Sequence, residues 1–119
     1  MNNNTFAQGE IWIIRLDPTE GSELKKTRTC LIISSSICNE RLKTITVIPF
    51  TTGETHKRYT RINTIADKQN GLDKNSYLEI SQIRTVSKKR CQKFIGIADK
   101  NIIKEIRNSF EFYFWDELN

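Results

Sequence analysis

The chain has 119 residues, 37% of them apolar and 28% charged, with a formal net charge of +5. That length suits a single domain spanning 1–119, and the balance of apolar to charged residues excludes a disordered chain. No apolar run approaches the roughly 20 residues of a membrane-spanning helix; Met1-Asn2-Asn3-Asn4-Thr5 lacks the basic and apolar blocks of a secretory signal, so the expected location is the cytoplasm.

Gly9 to Leu16 is rich in β-branched and aromatic residues and stops at Asp17-Pro18, which reads as a first strand. A polar loop from Asp17 to Lys26, with Pro18, Gly21 and Ser22, leads into a second apolar run from Cys30 to Ser34, giving a hairpin with a long tip. Thr44 to Thr51 is a third strand. Its Pro49 cannot donate to a ladder and so belongs near an edge or an irregularity. Arg58 to Ile65 alternates loosely, Asn70-Gly71 is a strong turn dipeptide, and Ser76 to Ile83 resumes an extended pattern, which predicts two further strands. Phe94 to Ile97 adds a short sixth after a basic turn from Ser87 to Arg90.

The period then changes. Ile102, Ile103, Ile106, Phe110 and Phe114 recur at three- and four-residue spacings behind an Asp99 suited to capping, which predicts a closing amphipathic helix. Strands followed by one terminal helix predict a mainly β fold, a small curled antiparallel sheet or barrel with the helix packed against it.

Cys30, Cys38 and Cys91 are odd in number, widely spaced and accompanied by a single histidine, His56, so zinc binding is not expected. Cys30 sits in an apolar run and reads as a small buried hydrophobe. Cations cluster at Lys25-Lys26-Thr27-Arg28, at Lys57-Arg58 with Arg61, and at Lys88-Lys89-Arg90. Such clusters attract polyanions by releasing condensed counterions, although many soluble domains carry a similar excess on a solvated face. Phosphate-binding loops, dinucleotide fingerprints, HExxH and GxSxG are absent. There remains a polar loop carrying Ser22, Glu23, Lys25, Lys26 and Arg28, set against a Thr51-Thr52 pair at the end of the third strand. Hydroxyls and cations grouped at strand ends suit a phosphate.

The order of segments resembles the MazF/PemK toxins. The resemblance is carried by Gly9-Glu10-Ile11-Trp12, by Leu16-Asp17-Pro18-Thr19 with Gly21-Ser22-Glu23, and by Arg28 to Ile33. It continues through Val47 to Thr52, Asn70-Gly71-Leu72-Asp73, Gln82 to Val86 and the C-terminal helix, and so covers nearly the whole chain. It implies an SH3-like barrel, a homodimer, an antitoxin partner, and metal-independent cleavage of single-stranded RNA without a cofactor. It also implies a catalytic pair, matched here by Arg28 and Thr51.

RNA supplies its own nucleophile, the 2′-hydroxyl, so a protein can cut it by aligning that group and stabilising the crowded phosphorus. Arg28 is expected on the non-bridging oxygens and Thr51 as a hydrogen-bond donor to the same group. Glu23, the ionisable base of the loop, is the candidate proton acceptor. Pro18, Thr19, Ser22, Lys25, Lys26, Thr52, Gln82 and Arg84 are the expected RNA contacts. Thr52 equally suits a strand terminator, and Gln82 and Arg84 suit fixing a sheet edge slightly better than reading RNA. Trp12 and the helix aromatics read as core or dimer contacts, and His56 as a loop residue.

Two departures from the family pattern stand out. Thr29 follows Arg28 where many relatives have proline, and Ser81 and Glu79 replace the aspartate and arginine that serve catalysis in some PemK-like relatives. Two further readings share the barrel: a gyrase poison of the CcdB kind, which leaves RNA whole, and a relative that binds RNA without cutting it.

Overall fold

Alternating apolar residues in short runs, closed by one amphipathic segment, fold here into a sheet with a helix laid across it. The computed structural model describes residues 5–16, 27–52 and 60–116. Along the chain these form β1 (Glu10–Arg15), β2 (Thr27–Ile32), a short helix α1 (Ser36–Arg41), β3 (Thr44–Thr51), β4 (Arg61–Thr64), β5 (Ser76–Glu79), β6 (Arg84–Ser87), β7 (Cys91–Ile97) and α2 (Lys100–Phe114). The order across the sheet is β4-β5-β3-β2-β1-β7, with β6 also paired to β3, and all the pairings are antiparallel. Among the described residues the sheet does not close on itself. It curls into the barrel-like, mainly β fold with a C-terminal helix that the sequence predicts.

Side chains alternate between the two faces of a strand, so the curled sheet buries two apolar layers. One layer takes Ile11, Leu31, Ile48, Phe50, Leu78 and Ile80, with Ile106 of α2. The other takes Ile14, Cys30, Ile32, Ile45, Val47 and Val86, with Phe6. Trp12 is half-buried beside the second layer, its ring 4.9 Å from Phe6 and 5.7 Å from Phe94, and its Nε1 donates to Glu10 Oε1 at 2.8 Å.

β3 is the hub. One edge pairs with β2, and the opposite edge is shared end to end by β6 (Thr44 to Val47) and β5 (Phe50 and Thr51). Ile48 and Pro49 fall where that edge changes partner, so the residue without an N–H lies at an interruption in the ladder. The irregularity expected for Pro49 is found, in a central strand.

Two local expectations need correction, and two short elements, β6 and α1, were not foreseen. The extended pattern from Ser76 to Ile83 breaks after Glu79, whose carboxylate accepts from the Ser81 amide at 3.3 Å and caps a 3-10 turn over Ile80–Gln82. β6 then forms from Arg84 to Ser87, a strand not predicted, and the basic turn shortens to a 3-10 turn at Lys88–Arg90. α1 has only six residues, too few to display a helical period; Ser35 caps it, and buried Asn39 donates to the Phe6 and Ser34 carbonyls.

α2 begins as predicted, with Asp99 Oδ1 accepting from the Asn101 amide at 2.8 Å. Ile102, Ile103, Ile106 and Phe110 pack on the sheet. Phe114, the last member of the apolar face, is 49% exposed and leans on Phe110 with ring centroids 5.4 Å apart. Among the described residues no helix is long and apolar enough to cross a membrane.

Candidate functional site

The ladder between β2 and β3 ends at Cys30↔Pro49. Continuing that register by two residues sets Arg28 level with Thr51, one at the start of β2 and the other at the end of β3. Arg28 Nη1 donates to the Phe50 carbonyl oxygen at 3.5 Å, and Thr51 Oγ1 donates to the Thr52 carbonyl at 3.5 Å. Both bonds are longer than the roughly 2.7 to 3.2 Å of a strong hydrogen bond, so little is lost when either group turns to a better acceptor.

Arg28, Thr51 and Thr52 line a cleft of about 520 Å³, together with Ile13, Phe50 and Ile95. A second stretch of its lining is the segment Gly71 to Lys74, joined by Ser76 of β5. The cleft therefore offers two cations, hydroxyls and one carboxylate beside apolar side chains, a set suited to a phosphodiester with its sugar and base.

That second stretch is tightly built. Buried Asn70 accepts from the Asp67 and Leu72 amides at 3.0 Å each and donates to the Ile65 carbonyl at 2.9 Å. Gly71 adopts the left-handed conformation, with φ of 70°. A β-carbon at Gly71 would lie 2.3 Å from the Ile95 carbonyl oxygen, and one at Gly96 would lie 2.5 Å from the Gln69 and Asn70 carbonyl oxygens. The turn thus crosses β7 at a distance only glycine permits on both sides. The Asn70-Gly71 dipeptide announced the turn, but Lys74 and Ser76 carry no motif, and their place in the cleft was not predicted.

The remaining expected residues divide. Pro18, Thr19, Ser22, Glu23, Lys25, Lys26 and His56 lie outside the described residues. Gln82 is exposed in the 3-10 turn after β5, and Arg84 is exposed at the start of β6 with Nη1 donating to the Leu16 carbonyl at 3.5 Å; neither lines the cleft.

Glu79 takes up a structural duty. Its carboxylate meets Arg61 Nε at 2.6 Å and also accepts from the Ser81 hydroxyl, with the two charged side chains only 8% and 15% exposed. Burial pushes the Glu79 pKa up, but the bonds from Ser81 and Arg61 together outweigh it and hold the carboxyl below its ordinary value. Glu79 and Arg61 thus form a nearly buried ion pair, braced by Ser81, at the positions where the sequence departs from the catalytic pattern of some PemK-like relatives. All three cysteines are free, and burial pushes the Cys30 thiol up to about 12 against the pull of nearby Arg28, so it sits beside the cleft as an inert hydrophobe.

A family model described as PemK-like, MazF-like toxin of type II toxin-antitoxin system matches residues 7–114. The chain belongs to that family. Among its MazF relatives is an Endoribonuclease MazF from Staphylococcus epidermidis, 28% identical over 104 residues and covering 87% of each chain. The fold is shared with MazE-MazF from Deinococcus radiodurans at a TM-score of 0.76 and 15% identity, covering 92% of this chain and 96% of that one. It is also shared with an endoribonuclease in complex with its cognate antitoxin from a mycobacterial species, at a TM-score of 0.69 and 15% identity over 92% and 93% of the two chains. The CcdB-type alternative loses its ground, since the family matched is that of the MazF-like toxins.

Proposed function

We propose that the whole chain, 1–119, acts as the toxin of a type II toxin-antitoxin pair: a cytoplasmic, metal-independent endoribonuclease that cuts single-stranded RNA. The observation that carries the reading is the shared cleft, in which Arg28 and Thr51 meet at the open end of the β2–β3 ladder.

The 2′-oxygen of the ribose attacks the adjacent phosphorus, a P–O2′ bond forms and the P–O5′ bond breaks. The products are a 2′,3′-cyclic phosphate and a 5′-hydroxyl. Charge grows on the non-bridging oxygens, where the permanently protonated guanidinium of Arg28 and the hydroxyl of Thr51 donate, both giving up weak backbone bonds to do so. Glu23 accepts the 2′-hydroxyl proton, and solvent protonates the leaving oxygen. Pro18, Thr19, Ser22, Lys25, Lys26 and Thr52 hold the flanking nucleotides. The chain works as a homodimer and is silenced by a MazE-like antitoxin whose acidic, partly disordered segment occupies the basic groove.

The test is purified protein, EDTA and a long unstructured RNA, with Arg28→Ala and Thr51→Ala alongside. Cutting by the native protein with cyclic-phosphate ends, and its loss in both variants, is expected. Intact RNA with the native protein, or undiminished cutting by both variants, removes the reading.

A further inference from the structure

We infer that Lys74 is a second phosphate-binding residue, which holds the phosphate next to the one that is cut. The inference rests on the RNA-cleaving reading of the cleft and deepens it by giving the turn that carries Lys74 a part in substrate positioning.

Lys74 lines the same cleft as Arg28, Thr51 and Thr52 from a separate segment of the chain, and it is solvent-exposed. Its backbone is held on both sides. The buried Ser76 hydroxyl donates to the Lys74 carbonyl at 2.9 Å, and Asn75 Oδ1 accepts from the Ala66 amide at 2.8 Å. Upstream, the Gly71 amide donates to the Asp67 carbonyl at 3.0 Å, and the Ile97 amide of β7 donates to the Gln69 carbonyl at 3.0 Å. With the Asn70 bonds and the crossing at Gly71 and Gly96, the path from residue 66 to 76 is over-determined.

A lysine is a flexible point charge, so by itself it selects nothing. Mounted on a fixed turn in the same cleft as a second cation, it sets a spacing. Two positive groups on separate segments of one cleft suit two successive phosphates of one strand, with the sugar between them beside the apolar side chains of Ile13, Phe50 and Ile95. Asp73 shares the segment and repels a chain that slides toward it, which favours a register with a phosphate at Lys74. Arg28 then acts on the phosphate that reacts, and Lys74 on its neighbour.

The experiment measures binding of a single-stranded RNA with a 2′-deoxy nucleotide at the cut site, over a salt series, and cleavage of the all-ribose strand, for the native protein, Lys74→Ala, Lys74→Arg and Lys68→Ala. Losing one phosphate contact lowers the slope of log affinity against log salt by about 0.7 for single strands. Lys74→Ala is expected to show that drop, with KM raised roughly 3- to 10-fold and kcat nearly kept, because an unreacting phosphate is gripped equally before and during reaction. Lys74→Arg restores the slope. Lys68→Ala, which changes an exposed lysine of the same turn outside the cleft, keeps the native slope. A native slope in Lys74→Ala, with native binding and cutting intact, overturns the inference alone. No binding or cutting by the native protein overturns both it and the RNA-cleaving reading.

Discussion

Arg28 and Arg61 stand at or near the starts of two strands of the same sheet, β2 and β4, yet they lead opposite lives. Arg61 is sealed against Glu79 at 2.6 Å, both side chains nearly out of water. Arg28 is exposed at the end of an opened ladder, and among the described residues its guanidinium has a backbone carbonyl at 3.5 Å as its polar contact. One guanidinium has its carboxylate built in; the other has room for an anion from outside. Burial and partner therefore separate the arginine that holds the fold from the arginine that meets a substrate, where residue type alone does not.

The comparison can be broken first at Arg61. Arg61→Ala strands the Glu79 carboxylate, and removing one partner of a buried pair costs about 3 to 5 kcal/mol, so urea unfolding should shift sharply. Arg28→Ala should leave the unfolding curve within about 0.5 kcal/mol of native, as expected of an exposed side chain. Equal destabilisation of the two variants would erase the distinction.

Next in size is the effect on cleavage. Arg28→Ala should lower RNA cutting by about two to three powers of ten, the usual cost of removing a donor from a developing oxyanion. A folded Arg28→Ala variant that cuts at the native rate would show that the exposed guanidinium is ornamental.

Gly71→Ala comes third. Left-handed strain and the clash with the Ile95 carbonyl should cost about 1 to 3 kcal/mol of stability, visible as a lower melting temperature with a raised KM. An unchanged melting curve would mean the turn is not seated on β7 as described.

Acid gives the smallest and most specific effect. The Glu79 carboxyl titrates below its ordinary value of about 4.3 when folded. Its stabilising contribution is therefore complete above that ordinary value and is lost as the pH falls through the lower, folded-state value. Urea midpoints of the native protein should decline over this window relative to those of Glu79→Gln. Parallel pH profiles would contradict the pairing.

Much of this was legible in the residues. β1, β3 and α2 show their periods because they are long or strongly patterned, and Asp99 marks the helix start by its capping chemistry. Arg28 and Thr51 stood out through the segments that resemble the toxin family, since a lone exposed arginine and a strand-ending threonine have no distinctive pattern. What stayed hidden depends on distant partners. β6 is four residues long and exists because β3 offers it an edge; the extended run after Ser76 is cut short by a side-chain cap from Glu79. Lys74 joins the cleft only because Asn70, Gly71 and Gly96 bring its turn against β7. Contacts between residues this far apart leave no local signature.

The cleft also has a timetable. Its strand-end lining is translated first, yet β3 lacks both β5 and β6, and the second stretch of lining is missing, until residues 71 to 87 have been made; Ile95 comes later still. Closing contacts so far apart along the chain is slow and comes late in folding. The lining of the cleft is thus made in two instalments, and a nascent chain that ends before residue 71 carries Arg28 and Thr51 without Gly71 to Lys74, Ser76 and Ile95, which complete it.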